Sequence, residues 1–72
     1  MQDVEINRQP VELYKVLKFE GLVATGGEAK MVIAEGMVTV NGEVEMRKRR
    51  KLFANDIIEF NNEKMRLIFV SK

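Results

Sequence analysis

The sequence predicts an α+β fold, with two short helices packed on a small, mainly antiparallel sheet of about four to five short strands. Two segments in the first half repeat apolar residues at helical spacing, and short alternating segments separated by turn signals fill most of the second half. The chain has 72 residues, so we expect one domain. Within it we expect a strand and link over 1–9, a core motif over 10–60 and a final strand over 61–72.

The first predicted elements are an edge strand and a helix. Apolar residues alternate from Asp3 to Ile6, which is typical of a short half-buried strand. Pro10 suits the first position of a helix, where its missing N–H costs nothing, and Gly21 suits the position just after a helix end. We therefore predict a helix over Pro10–Glu20. Its inward face is expected to carry Leu13, Val16 and Leu17.

The second predicted helix has signals at both ends. Thr25 and Glu28 form the capping-box pattern T-x-x-E, in which the threonine hydroxyl accepts a hydrogen bond from an unpaired backbone N–H of the first turn. Gly36 is expected to end the helix. Leu22 and Val23, in the connector, are expected to hold the two helices together. The inward face is expected to carry Ala29, Val32 and Ile33.

A β-hairpin is predicted next. The segment Val38–Val40 alternates like a half-buried strand, and Asn41-Gly42 is a strong hairpin signal. A two-residue turn would set Val38 opposite Glu45, whereas a three-residue loop with a glycine bulge would set Val38 opposite Val44. The second register collects apolar side chains on one face, so we predict the bulged loop.

Five consecutive cations follow the return strand, which is predicted over Glu43–Met46. Neighbouring residues of a strand point to opposite faces, so a run of five charges predicts an irregular loop or an exposed edge that presents charge in several directions. Such a run can bind phosphate groups, or it can protect a sheet edge from aggregation, and composition alone favours neither. The cations are Arg47, Lys48, Arg49, Arg50 and Lys51.

Two more strands are predicted in the last third of the chain. The segment Ala54-Asn55-Asp56 is typical of a turn, because asparagine tolerates a left-handed backbone and aspartate favours turn starts. A strand is predicted over Ile57–Phe60, followed by a second turn at Asn61-Asn62-Glu63. The last strand has apolar residues in both alternating sets, so we expect both of its faces to be partly covered.

Composition excludes several kinds of chemistry. The chain has no cysteine and no histidine, which removes the thiolate, the commonest metal ligand and the commonest general base. Its acidic residues show no metal-loop spacing. We therefore predict no catalytic residue, no metal site and no cofactor. No apolar run is long enough to cross a bilayer and no signal peptide is recognisable, so the cytoplasm is the expected compartment.

Other residues could extend a phosphate-binding surface beyond the five cations. Gly26-Gly27 opens the second helix, where a ligand oxygen could approach backbone N–H groups, but the capping box can satisfy those donors and a plain helix start is the favoured interpretation. Lys18 and Lys30 are ordinary surface lysines individually, as is Lys15, but together they could border the cationic run. Tyr14 and Phe19 could stack on unpaired bases, and we interpret both as core or boundary residues.

The segment from Leu22 to Gly42 resembles the S-four RNA-binding domain, also called the αL motif. The chain as a whole is similar to the small stand-alone bacterial members, the YbcJ-like proteins. Two positions depart from the family pattern: Gly26 stands where an arginine is frequent, and Met31 stands where a second basic residue is common. The matching residues are Leu13, Leu17, Thr25, Glu28, Ala29, Lys30, Ile33, Gly36, Val38, Val40, Asn41 and Gly42.

The resemblance implies a non-catalytic domain that binds structured RNA. Ribosomal RNA or an assembling ribosomal subunit is the first expected partner and transfer RNA the second, with no small-molecule substrate and no membrane. The alternative is a protein-interaction module that docks through a sheet edge or an apolar patch. Attraction to an anionic membrane surface is a weaker third hypothesis. The predicted RNA-binding residues are Lys18, Thr25, Gly26, Gly27, Lys30, Arg47, Lys48, Arg49, Arg50 and Lys51.

Overall fold

The computed structural model describes residues 1–71. Its elements are β1 (Gln2–Ile6), β2 (Val11–Glu12), α1 (Leu13–Phe19), α2 (Gly26–Ala34), β3 (Val38–Val40), β4 (Glu43–Val44), β5 (Lys51–Leu52), β6 (Ile57–Phe60) and β7 (Glu63–Phe69). In the main sheet the strand order is β1-β7-β6-β3-β4, and β2 pairs with β5 in a separate ladder. Within the described residues, β1 and β7 are parallel and the other pairs are antiparallel.

One hydrophobic core joins the two helices to the main sheet, which confirms the predicted α+β fold. The helix residues predicted to face inward are all buried. Val23 is buried in the connector and Leu22 packs against the core, as expected. The residues with the largest fully buried side chains are Leu13, Leu17, Ile33, Val38, Val40, Leu52, Ile58, Met65 and Leu67.

Both helices end where a glycine was predicted to end them. Gly21 and Gly36 have φ angles of +73° and +75°, in the left-handed region that glycine adopts at little cost. The N–H of Gly21 donates to the carbonyl of Lys18, and the following N–H donates to that of Leu17. Equivalent bonds end α2. Each helix therefore stops in a Schellman motif, which satisfies carbonyls that the helix itself leaves unpaired.

The predicted start of the first helix is wrong. The helix begins at Leu13 rather than Pro10, because Val11–Glu12 is extended and pairs with Lys51–Leu52 as a two-residue ladder. Glu12 therefore lies outside the first helical turn, with an extended backbone. The hydrogen bonds of this ladder come from a segment almost forty residues away in the chain, so local propensity could not reveal it.

The predicted hairpin register is also wrong. Asn41-Gly42 forms a two-residue turn with φ angles of 53° and 86°, and positive φ at both central residues is what a type I′ turn requires. Thr39 faces Val44 across the ladder, and the N–H of Glu45 donates to the carbonyl of Val38 at 3.0 Å. The return strand ends at Val44 instead of residue 46. Glu45 consequently stands where an apolar residue was expected.

The remaining strands follow the prediction. Asn55 has a φ of 77°, as its turn requires, and Asn61 and Asn62 form the second turn with φ values of 54° and 67°. The last strand buries Met65 and half-buries Ile68 on its other face. β1 is an edge strand, as predicted. The predicted final segment includes Lys72, which lies outside the described residues.

Candidate nucleic-acid interface

The cationic loop, which we define as residues 47–51, is fixed to the start of α1. Its turn is closed by a hydrogen bond from the N–H of Arg50 to the carbonyl of Arg47 at 3.1 Å. The first two N–H groups of α1, those of Leu13 and Tyr14, donate to the carbonyls of Arg50 and Lys48 at 3.0 and 3.1 Å. Residues 47–50 thus form an irregular loop, one of the two forms predicted, and Lys51 begins β5. The loop carbonyl groups satisfy donors that a helix start leaves unpaired.

A buried carboxylate holds two arginines of this loop. Glu45 is 6% exposed. Its Oε2 accepts from the backbone N–H and the Nε of Arg47, both at 3.0 Å, while its Oε1 accepts from Arg47 Nη2 at 3.1 Å and from Arg50 Nη1 at 2.7 Å. We call these three residues the Glu45 clasp. The charged hydrogen bonds compensate the desolvation of the carboxylate, which is why the register that buries Glu45 is accessible.

The Glu45 clasp shifts the pKa values of Glu45 and Arg47. Hydrogen bonds from Arg47 and then from Arg50 lower the pKa of Glu45 to about 2, against a smaller opposing effect of burial. The same contacts raise the pKa of Arg47. Glu45 carries one negative charge for two arginines, so the clasp retains a net positive charge at neutral pH.

The cationic loop presents its remaining charge to solvent. The side chain of Arg47 is 76% exposed although it contacts Glu45. Lys48 and Lys51 are exposed and have no ion pair with any of residues 1–71. The cations lining one open surface depression are Arg47, Arg49, Arg50 and Lys51. This arrangement can bind an anion that reaches several cations at once.

A second group of cations surrounds the ring of Tyr14. Lys30 Nζ, from α2, lies 4.8 Å from the ring centroid. Arg49 Cζ, from the cationic loop, and Lys15 Nζ, from α1, each lie 5.9 Å from it. A Cβ added to Gly26 would lie 3.9 Å from the ring. We call Tyr14 with these three cations the Tyr14 cluster, and it joins the helix corner to the cationic loop.

The start of α2 is capped by side chains. Thr25 Oγ1 accepts from the N–H of Glu28 at 3.1 Å, as predicted. Glu28 Oε1 accepts from the N–H of Ala24 at 2.8 Å, so the reciprocal bond reaches one residue further back than in a standard capping box. This bond folds the Glu28 carboxylate back onto the connector.

The structure brings together most of the predicted site residues. Gly26, Lys30 and Arg49 meet at Tyr14, and all of the loop cations except Lys48 line one depression. Lys18 is exposed and lies one helical turn beyond Tyr14 on α1. Thr25 and Gly27 lie at the capped start of α2.

Sequence reasoning missed two acidic residues that adjoin the loop. Glu45 was not among the predicted site residues. Glu12 was assigned to a helical turn, whereas its carboxylate lies 3.3 Å from Lys15 Nζ and 4.0 Å from Arg49 Nη1. The interpretation of Phe19 as a core or boundary residue is wrong, because it is 75% exposed. No alternation signal marks Glu45 as buried, because Glu43 shares its place in the alternation and is exposed.

Two kinds of feature are absent from residues 1–71. No helix there is long and apolar enough to cross a membrane. No group of three or more acidic side chains there is placed to hold a metal ion.

A corner of two short helices, followed by a hairpin and a fixed cationic loop on a small sheet, defines the αL class of domain. The family model described as the S4 domain matches residues 4–68. The chain belongs to this family, which confirms the resemblance seen in its sequence.

Relatives that match most of the chain include two bacterial proteins. YbcJ of Escherichia coli strain K12 is 39% identical over 69 residues, which cover 94% of this chain and 99% of YbcJ. RlbA of Bacillus subtilis strain 168, named as a probable ribosome maturation protein, is 34% identical over 56 residues, which cover 78% of this chain and 79% of RlbA.

Two solved structures share the fold. The solution structure of YbcJ, described as revealing an αL motif involved in RNA binding, matches with a TM-score of 0.72 and 38% identity, covering 94% of this chain and 87% of that one. The 30S ribosomal protein S4e from Thermoplasma acidophilum matches with a TM-score of 0.69 and 30% identity, covering 83% of this chain and 32% of that one. The YbcJ-like assignment is therefore confirmed.

Proposed function

We propose that this protein binds structured RNA and catalyses no reaction. The observation that carries the proposal is the cationic loop, whose Arg49 meets Lys30 of α2 at the Tyr14 ring, in a nearly neutral chain whose net charge is +1. The proposed contacts come from the cationic loop, the helix corner and the α1 surface beside them. The residues are Lys18, Thr25, Gly26, Gly27, Lys30, Arg47, Lys48, Arg49, Arg50 and Lys51.

Contacts of this kind position a protein on RNA more than they read its sequence. Lysine and arginine bind phosphate oxygens, which carry no base identity. The deep, narrow major groove of an RNA helix is closed to side chains, so helical RNA is recognised mainly by its shape and its 2′-hydroxyl groups. We therefore infer that the fold of the RNA supplies most of the selectivity.

Ribosomal RNA, alone or in an assembling ribosomal subunit, is the proposed partner, with transfer RNA as the second candidate. Three relatives support this choice. YbcJ is described with a motif involved in RNA binding, RlbA is named for ribosome maturation, and S4e is a 30S ribosomal protein.

Salt dependence of binding tests the proposal. Each phosphate neutralised by lysine or arginine releases counterions, so about five contacts should give a log–log slope of about −4 for the association constant against salt concentration. The measurement is a fluorescence-anisotropy titration with purified ribosomal RNA fragments, and with duplex DNA of equal length as the control. Equal affinity for the two, or a slope near zero, would contradict the proposal.

Exposed apolar residues favour a second candidate function, docking of a protein partner. Val44 lies on the edge strand β4 and is 59% exposed. Its Cγ1 lies 3.6 Å from the Cβ position of Gly36, so α2 and β4 adjoin at this point. The exposed apolar residues of these elements and their flanks are Met31, Met37, Val44 and Met46. Docking there predicts capture of a protein whose retention is insensitive to salt.

Replacing Glu12 by glutamine is expected to strengthen RNA binding by roughly threefold, because one negative charge beside Lys15 and Arg49 is removed near the proposed phosphate sites. The measurement is the dissociation constant for ribosomal RNA at fixed salt. Glu20→Gln is the control, since Glu20 flanks the opposite end of α1 from Glu12. Unchanged or weaker binding of the Glu12→Gln variant would show that this carboxylate does not oppose the RNA.

A further inference from the structure

The Tyr14 cluster gathers cations from three separate parts of the chain. Lys15 belongs to α1, Lys30 to α2 and Arg49 to the cationic loop, and all three lie within 6 Å of one ring centroid. Attraction between a cation and the face of an aromatic ring acts over this range. Within residues 1–71, Tyr14 is the one aromatic ring that cations of both α2 and the cationic loop approach in this way.

The backbone of Tyr14 is fixed independently of its ring. Its N–H donates to the carbonyl of Lys48 at 3.1 Å. On the other side, the start of α2 packs against the ring at Gly26. The ring is half-buried and adjoins the hydrophobic core. Its location is therefore set by the fold, whereas the cations around it are long side chains with many rotamers.

Two roles are open to such a ring in an RNA-binding surface. It could stack on an unpaired base, which requires an unobstructed ring face. It could instead hold the surrounding cations at set positions. The second role fits the geometry, because Lys30 at 4.8 Å occupies the space over the ring and a base would have to displace it.

We propose that Tyr14 is a positioning residue for RNA binding: its ring holds Lys30 and Arg49 side by side, so that cations from α2 and the cationic loop contact neighbouring phosphates. This inference rests on the proposed function. Tyr14 itself contributes no charge to the contact. Tyr14 affects the affinity for RNA by positioning Lys30 and Arg49.

Three single variants distinguish the effect of the aromatic ring from the effect of its packing. Tyr14→Phe retains the ring and is expected to bind ribosomal RNA within about twofold of the wild type. Tyr14→Leu retains apolar volume and removes the ring, and is expected to bind about tenfold more weakly, since the cation–π contacts of Lys30 and Arg49 are lost together with that of Lys15. Tyr14→Ala serves only to measure how far packing alone affects the thermal midpoint.

A double-mutant cycle tests whether Tyr14 acts through the cations. The Lys30→Ala, Arg49→Ala double variant should bind weakly, and adding Tyr14→Leu to it should change the affinity by less than about twofold, because the coupled contacts are already absent. If Tyr14 had a purely structural role, Tyr14→Leu would weaken RNA binding about tenfold both in the wild type and in the double variant. That result, or a Tyr14→Leu variant equal to the wild type, would overturn the inference.

A measurement without RNA tests the positioning itself. The ring should move the proton resonances of the Lys30 and Arg49 methylene groups upfield in the wild type and in Tyr14→Phe, and these shifts should vanish in Tyr14→Leu. Resonances at random-coil positions in all three proteins would refute the positioning even if RNA binds. Failure of the wild type to bind RNA would instead refute the proposed function and leave the upfield shifts intact.

Discussion

Replacing Arg49 and Lys51 together by glutamate is expected to weaken binding to ribosomal RNA by about a hundredfold at physiological salt. Both side chains line the depression of the cationic loop, and both lie outside the Glu45 clasp, so the loop should keep its shape. Each change removes a proposed phosphate contact and places a negative charge at the same position. The log–log salt slope should also become shallower by about two units.

The matched control makes an equal change in net charge on another surface. Lys64 and Arg66 lie on β7, and their replacement by glutamate should leave the affinity within about threefold of the wild type, since screening limits the long-range effect of exposed charges. Circular dichroism at increasing temperature checks that both double variants are folded. Equal losses in the two variants would show that the cationic loop is not the site of RNA contact.

Replacing Glu45 by glutamine is expected to lower the free energy of unfolding by about 2 kcal/mol. The amide keeps the volume of the side chain but loses the charge-assisted hydrogen bonds to Arg47 and Arg50. Urea denaturation measures the change. Glu43→Gln is the control, because Glu43 is exposed two residues away in the same chain segment and should change stability by less than about 0.5 kcal/mol.

Acid should remove the contribution of the Glu45 clasp to the free energy of unfolding. The folded-state pKa of Glu45, about 2, lies below its ordinary value of 4.5, so the clasp stabilises the protein fully above pH 4.5 and progressively less as the pH falls towards 2. The stability difference between the wild type and Glu45→Gln should therefore shrink across this window. A difference that stays constant from pH 6 to about 2.5 would show that Glu45 is not ionised in the clasp.

Local signals were sufficient to predict the ends of both helices and the cap of α2. Gly21, Gly36 and Thr25 act on residues within one helical turn, so a single short window of sequence contains the whole interaction. The turns at Asn41-Gly42 and Asn55 were found for the same reason. The positions of the inward helix residues followed from apolar periodicity alone.

Two of the errors have causes that apolar periodicity and turn signals do not contain. The start of α1 depends on pairing with β5, and the hairpin register depends on two arginines that neutralise a buried Glu45. The apolar-face criterion placed Val44 opposite Val38 in preference to Glu45, whereas pairing with two arginines allows Glu45 to be buried there. The Tyr14 cluster is likewise invisible in sequence, because its cations come from three elements.

The bonds from the Leu13 and Tyr14 N–H groups to the cationic loop have a consequence for binding. A flexible basic segment loses conformational entropy when it associates with RNA, and this loss weakens its affinity. Here the backbone of the basic segment is already ordered by the fold before any partner arrives. The protein can therefore dock as a nearly rigid body, so its few cations should give tighter binding than the same five residues on a disordered tail.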